Sequence, residues 1–146
     1  MDAQLKKYCV SVLEEGRSRL GLMLGIVSRV VGNTYEVVAV SSDTGIPHAG
    51  DQYPLDAVYC REVIQTMATV TITEIDGVKG MSLHPLYGLI PCEAYISSPI
   101  NIHGKVWGTL NYTSLDKRMT PFSAEDIAFN EDRAARISSA IAVARL

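Results

Sequence analysis

Polar side chains occupy alternating positions in two segments near the C-terminal end whose composition predicts β-strands. Tyr95 and Ser97 lie on one face of the first segment, and Asn111 and Thr113 lie on one face of the second. A buried amide or hydroxyl without a hydrogen-bond partner costs about 1–3 kcal/mol. Asn111 and Thr113 therefore either contact a bound small molecule or an ordered water, or lie on a solvated face.

Three cysteines could supply thiol chemistry, but none forms a C-x-x-C motif, so neither a zinc site nor a dithiol redox motif is predicted. Cys60 lies near the start of a predicted helix beside Arg61, a setting that favours thiolate; the alternative is a small buried hydrophobe. Cys9 belongs to an apolar helical stripe. The neighbouring Glu93 disfavours thiolate at Cys92.

The three histidines fall in predicted loops or turns, and no pair has the spacing of metal ligands, so no metal site is predicted. His84, close to Pro85 and Tyr87, is the best placed of the three to contact a ligand, whereas His103 is expected to be an exposed turn residue. Tyrosines combine an apolar ring with a hydrogen-bonding tip and suit a partly apolar pocket. The candidates are Tyr53, Tyr59, Tyr87 and Tyr95.

The elements that must position these residues follow from hydrophobic periodicity and turn signals. The order is helix, two strands, helix, strand, two strands, helix, which predicts an α+β fold with an antiparallel sheet of five to six strands. The predicted helices are 5–20, 56–67 and 123–146; the strands are 22–31, 34–40, 68–75, 93–102 and 106–114; the long irregular connections are 41–55 and 77–91.

The last helix has the clearest start signal. Ser123 is the predicted N-cap with Asp126 three residues later, and Phe122 can pack on Ile127. Seven-residue spacing relates Ile127, Ala134 and Ile141, and likewise Asn130, Ile137 and Ala144. This stripe, together with that of the first helix, predicts a homodimer through the terminal helices, which light scattering can check.

Composition excludes several classes of function. The chain has 146 residues, 47% of them hydrophobic, and a net charge of −3, which fits one globular domain over residues 1–146. No basic block offers a nucleic-acid surface. No apolar run reaches the roughly 20 residues that span a bilayer, and the N-terminus lacks the plan of a signal peptide, so no membrane partner and a cytoplasmic location are expected.

The C-terminal half closely resembles a GAF domain. The resemblance rests on YISSPINIHGKVWGTLNYTS at residues 95–114 and on PFSAEDI at residues 121–127. In that family, a strand ending in Pro and an aliphatic residue leads through a Gly turn to a strand with Gly and then Leu. A Phe-Ser/Thr-x-x-Asp cap then opens the last helix. With the element order upstream, the resemblance covers about residues 5–146.

The resemblance implies a ligand pocket on the sheet face away from the terminal helices, roofed by both long connections and the middle helix. By this likeness, the face with Trp107, Thr109 and the four polar residues would meet the ligand. Gly108, Leu110 and Tyr112 would pack against the helices. The candidate binding residues are Tyr59, Cys60, His84, Tyr95, Ser97, Asn111 and Thr113.

GAF domains are sensory modules of histidine kinases, diguanylate cyclases, phosphodiesterases and transcriptional regulators. The resemblance therefore implies a small-molecule sensor that signals through its terminal helices to an output domain, with an unidentified ligand. One alternative is an enzyme that reduces free methionine sulfoxide, although the cysteines do not reproduce that branch's arrangement. Another is a ligand-free dimerisation module. The motifs of cyclic-nucleotide binding and of covalent bilin attachment are missing.

Overall fold

A six-stranded antiparallel sheet with two helices on one face forms the framework of the chain. The computed structural model describes residues 1–43, 45, 47–54, 63, 66–72, 93–114, 116 and 118–144. The elements are α1 Ala3–Leu20, β1 Leu24–Val31, β2 Thr34–Ser42, β3 Gln52–Pro54, β4 Val70–Ile72, β5 Ala94–Ile102, β6 Lys105–Ser114 and α2 Ala124–Ala144. The strand order is β3-β2-β1-β6-β5-β4. The predicted α+β class is confirmed.

Both helices begin at side-chain caps. Asp2 Oδ1 accepts the Leu5 N–H at 2.8 Å and opens α1 two residues before the predicted start. At α2, Ser123 Oγ accepts the Asp126 N–H, and Asp126 Oδ2 accepts the Ser123 N–H, both at 3.0 Å. These reciprocal bonds form a capping box and confirm the predicted N-cap.

The core lies between the sheet and the two helices. Cys9 and Leu13 of α1 and Ala134, Ile137 and Ile141 of α2 are at most 2% exposed and pack in one cluster with the strands. Most of the heptad-spaced stripe of α2 is thus covered within the chain's own fold, and Ala144 at its end is exposed. Dimerisation stays a prediction, but this stripe no longer supports it. No helix among the described residues is long and apolar enough to cross a membrane.

The β5–β6 hairpin differs from the prediction at two residues: Lys105, predicted in the turn, begins β6, and Trp107 lies in a bulge. His103 and Gly104 form its tip with φ values of 54° and 76°, the signature of a tight two-residue turn. Ile100 pairs with Gly108, but Asn101 pairs with Val106, so Trp107 is an extra residue in a β-bulge. The bulge turns Trp107 to the helix side, where it packs against the core cluster. Its predicted place on the pocket face is wrong.

The segments around the predicted middle helix are described only in part. Residues 41–55 were predicted to be irregular, but Gln52–Pro54 pair with Thr34–Glu36 as edge strand β3. Val63 and Thr66 are helical, and the Met67 N–H donates to the Val63 carbonyl at 2.8 Å, which agrees with a helix ending at Met67. The rest of the predicted helix and the 77–91 connection lie outside the described residues.

Candidate functional site

The sheet face away from the helices carries all four predicted site residues that the structure describes. Tyr95, Ser97, Asn111 and Thr113 are 1%, 0%, 5% and 5% exposed. The alternative that this face is solvated is therefore wrong. The other three predicted site residues, Tyr59, Cys60 and His84, lie outside the described residues, and their roles stay predictions.

Strand register brings the four residues together. Tyr95 lies opposite Thr113, and Ser97 lies opposite Asn111, on neighbouring antiparallel strands. Residues paired in this way have Cβ atoms about 4.5–5.5 Å apart when they point to the same face. The two pairs thus form one compact polar patch along β5 and β6.

A pair of buried hydroxyls extends this patch: Thr109, which was predicted on this face, and Ser28, which was not found from the sequence. Ser28 on β1 lies opposite Thr109 on β6, and their oxygens are 2.6 Å apart, with both residues 0% exposed. Ser28 Oγ also accepts the Thr109 N–H at 3.1 Å. The only sequence signal was a lone serine in an apolar run. Because these hydroxyls bond to each other, they need no ligand.

Apolar side chains frame the polar patch. A second cluster of buried residues on this face joins the aliphatic residues of β1 and β2 to Tyr95. We call the buried residues of this face the pocket floor: Leu24, Ile26, Ser28, Tyr35, Val37, Tyr95, Ser97, Thr109, Asn111 and Thr113. Every floor side chain is apolar, hydroxylic or an amide, so the floor carries no formal charge at neutral pH.

Tyr53 adds a hydroxyl at the rim of the floor. Its ring lies 6.5 Å from that of Tyr35, at an interplanar angle of 51°. Burial, and secondarily the nearby Asp51 carboxylate, raises the pKa of Tyr53. The phenol is therefore neutral at physiological pH and able to donate a hydrogen bond.

Thr113 contains the floor atom best placed to meet a ligand. Its Oγ1 is buried and has no hydrogen-bond partner among the residues that the structure describes. Buried polar atoms in folded proteins nearly always have a protein or water partner. Thr113 Oγ1 is therefore a point at which a bound molecule can gain a hydrogen bond.

The opposite face of β6 packs as predicted against the helices. Leu110 and Tyr112 are 0% exposed within the helix-side core. The Tyr112 hydroxyl donates to the Val12 carbonyl of α1 at 3.2 Å. Burial raises the pKa of Tyr112, so this phenol remains protonated and holds α1 against the sheet.

Comparison with solved structures finds the same fold in several proteins. The cyanobacteriochrome receptor PixJ is 19% identical, with 93% of each chain covered and a TM-score of 0.76. The chromophore-binding domain of a bacteriophytochrome from Stigmatella aurantiaca is 21% identical with a TM-score of 0.75; the match covers 97% of this chain but 55% of that one.

A third neighbour comes from a different kind of protein. The GAF domain of a phosphoenolpyruvate-protein phosphotransferase from Coxiella burnetii is 16% identical, with 97% of this chain and 84% of that chain covered and a TM-score of 0.77. A search of curated proteins gives no match. The family model of the GAF domain, however, matches residues 5–141, nearly the whole sequence. The chain therefore belongs to the GAF domain family.

Proposed function

We propose that the chain is a sensory GAF domain that binds a small molecule on the pocket floor and signals through α1 and α2. One observation carries the proposal. Four polar residues, Tyr95, Ser97, Asn111 and Thr113, are buried side by side on the sheet face away from the helices. Within this group, Thr113 Oγ1 has no hydrogen-bond partner among the described residues, and a bound ligand would supply one.

The floor favours a ligand that is flat and largely apolar with uncharged hydrogen-bonding groups along one edge. The polar patch of β5 and β6 would meet that edge, and the aliphatic side chains of β1 and β2 would cover the apolar body. The neighbours do not select one ligand. One is named as a chromophore-binding domain, whereas another belongs to a phosphotransferase.

The signal would pass through the sheet, which contacts the ligand on one face and the terminal helices on the other. The floor occupies one face of β1, β2, β5 and β6, and the terminal helices pack on the other. A ligand can shift the helices only by its differential affinity for two arrangements of the domain. The recipient would be an output domain, in the same chain or in a partner, of a bacterial-type signalling protein.

Thr113→Val tests the ligand site. Valine has nearly the shape of threonine, and the hydroxyl it removes has no partner among the described residues, so we expect an unchanged melting temperature. The variant should bind a co-purifying ligand about threefold to tenfold more weakly, because one hydrogen bond is lost. Native mass spectrometry measures the fraction of protein that retains the ligand. Thr109→Val is the matched control, because it removes a floor hydroxyl that does have a partner, Ser28. This variant should therefore have a lower melting temperature.

Two outcomes would count against this assignment. Equal ligand retention by the Thr113→Val variant and the wild-type protein would place the ligand elsewhere. Absence of any small molecule from fresh wild-type preparations would instead support a ligand-free dimerisation module.

We propose that the chain does not reduce methionine sulfoxide. Cys9 is 0% exposed on the helix side, and burial raises its pKa to about 11, so it supplies no thiolate at neutral pH. Cys60 and Cys92 lie outside the described residues. We expect no turnover of free methionine sulfoxide with a thiol reductant. Turnover that Cys60→Ser or Cys92→Ser abolishes would make the chain an enzyme.

A further inference from the structure

A chain of side-chain hydrogen bonds joins α2 to the strands on the β4 side of the sheet. Asn130 Nδ2 donates to Ser98 Oγ on β5 at 2.9 Å and to the Leu110 carbonyl of β6 at 3.2 Å. Ser98 Oγ lies 2.8 Å from Thr69 Oγ1, and Thr69 Oγ1 donates to Glu131 Oε2 at 2.8 Å. This series of hydrogen bonds thus begins at Asn130 of α2 and ends at Glu131, the next residue of the same helix.

The donors and acceptors fix the direction of this chain. The single hydroxyl proton of Thr69 goes to the Glu131 carboxylate, which only accepts when ionised. Ser98 must therefore donate to Thr69, and it accepts from Asn130. Ser98 and Asn130 are both 0% exposed. Hydrogen bonds aligned in this way polarise one another, so the loss of one weakens the rest.

The same series of hydrogen bonds lies next to the pocket floor. Thr69 immediately precedes Val70 of β4, which packs against the floor cluster and pairs with Ser97. Ser98, the next residue of β5, points to the helix side, where Asn130 reaches it. A shift of β4 or β5 at the floor therefore changes the positions of Thr69 and Ser98 relative to α2.

The same turn of α2 also holds α1. Arg133 donates two hydrogen bonds to Glu15, at 2.8 and 3.2 Å. The guanidinium carbons of Arg133 and Arg19 lie 4.6 and 4.8 Å from the centroid of the Phe129 ring. Residues 129–133 thus contact α1 on one side and the Thr69–Ser98 pair on the other. We call this segment the linking turn.

We propose that the linking turn carries a shift of β4 beside the pocket floor to both terminal helices, with Asn130, Ser98 and Thr69 as positioning residues. The inference rests on the proposed function for the role of the floor, but the link itself can be tested without a ligand. A cleft of about 410 Å³ beside Met67 and Glu131 gives the segment before β4 room to move.

A double-mutant cycle read by amide hydrogen exchange tests the link. Val70→Ala removes methyl groups on the floor side of β4 and leaves every residue that forms the hydrogen bonds of the link in place. In the wild-type background it should speed exchange at Ala134 and Ile137 by about fivefold, the factor that one ordinary hydrogen bond is worth. In a Thr69→Val background it should leave these α2 amides unchanged.

Two controls separate this coupling from a general loss of stability. Ser138→Ala removes a different α2–β5 bond, from Ser138 Oγ to the Asn101 carbonyl at 2.5 Å, and should leave the full Val70→Ala effect. Exchange at Ile26 of β1, which pairs with both β2 and β6, reports on global opening and should respond equally in every background. If Thr69→Val does not fold, Ser98→Ala breaks the chain at its next member.

The outcomes distinguish this inference from the proposed function. Additive effects of Val70→Ala and Thr69→Val at the α2 amides would overturn the link, whether or not a ligand co-purifies. A non-additive cycle in a protein that retains no small molecule would keep the link and remove the sensory proposal.

Discussion

Replacing Gly108 with alanine is expected to unfold the domain or to cost it about 3–5 kcal/mol, at the upper end of single-substitution effects. Gly108 of β6 pairs with Arg29 of β1 in the antiparallel sheet. A Cβ atom there would overlap the Ser28 carbonyl oxygen and lie 3.1 Å from the Arg29 Cα. Both obstacles are backbone atoms in the middle of the sheet, so no side-chain rotation can relieve the clash.

Chemical denaturation measured by circular dichroism gives the size of this effect. Gly104→Ala is the matched control because its Cβ would meet no atom within 4 Å; the strain of alanine at this positive φ should cost about 1–2 kcal/mol. A Gly108→Ala variant with the stability of the Gly104→Ala variant would contradict the described pairing of β1 with β6.

Gly16→Ala should cost about 2–4 kcal/mol by displacing α1 from the sheet. The Tyr112 ring lies against the Gly16 backbone, and an added Cβ would overlap the ring and its hydroxyl. Displacement of α1 would also break the hydrogen bond from Tyr112 to the Val12 carbonyl. Urea unfolding followed by far-UV circular dichroism measures the loss.

A second substitution at Tyr112 shows whether this contact is the cause. Tyr112→Leu alone should destabilise the domain by leaving a cavity, but it makes room for the added methyl group at Gly16. The double variant should therefore be more stable than the sum of the single effects by at least about 1 kcal/mol. Strict additivity would show that Gly16 and Tyr112 are not in contact.

Local signals explain why most of the fold could be predicted. The Ser123 and Asp126 side chains cap α2 through neighbours only three residues apart, and both residues of the β5–β6 turn are adjacent in sequence. Signals of this kind need no knowledge of distant segments. Alternation within β5 and β6 likewise placed Tyr95, Ser97, Asn111 and Thr113 on one face correctly.

The errors arose where distant pairing decides the structure. β3 exists because Gln52–Pro54 meet β2, a contact that local composition does not reveal. The bulge at Trp107 depends on the register with β5, and the extra residue puts Trp107 on the opposite face from Thr109, Asn111 and Thr113. Seven-residue spacing predicts Asn130 in an apolar stripe, but its amide is buried because Ser98 and the Leu110 carbonyl accept its protons.

The strand order also affects how the chain can fold. β1 pairs with β2 and β5 pairs with β6 across short turns, so both hairpins can form early. The centre of the sheet, however, joins Leu24–Arg29 to Gly108–Thr113. That pairing has to close a loop of most of the chain, and the entropy of loop closure is lost before the strand contacts add any stability. On the ribosome, the first hairpin therefore has to wait, with one edge unpaired, until the last strand has been synthesised.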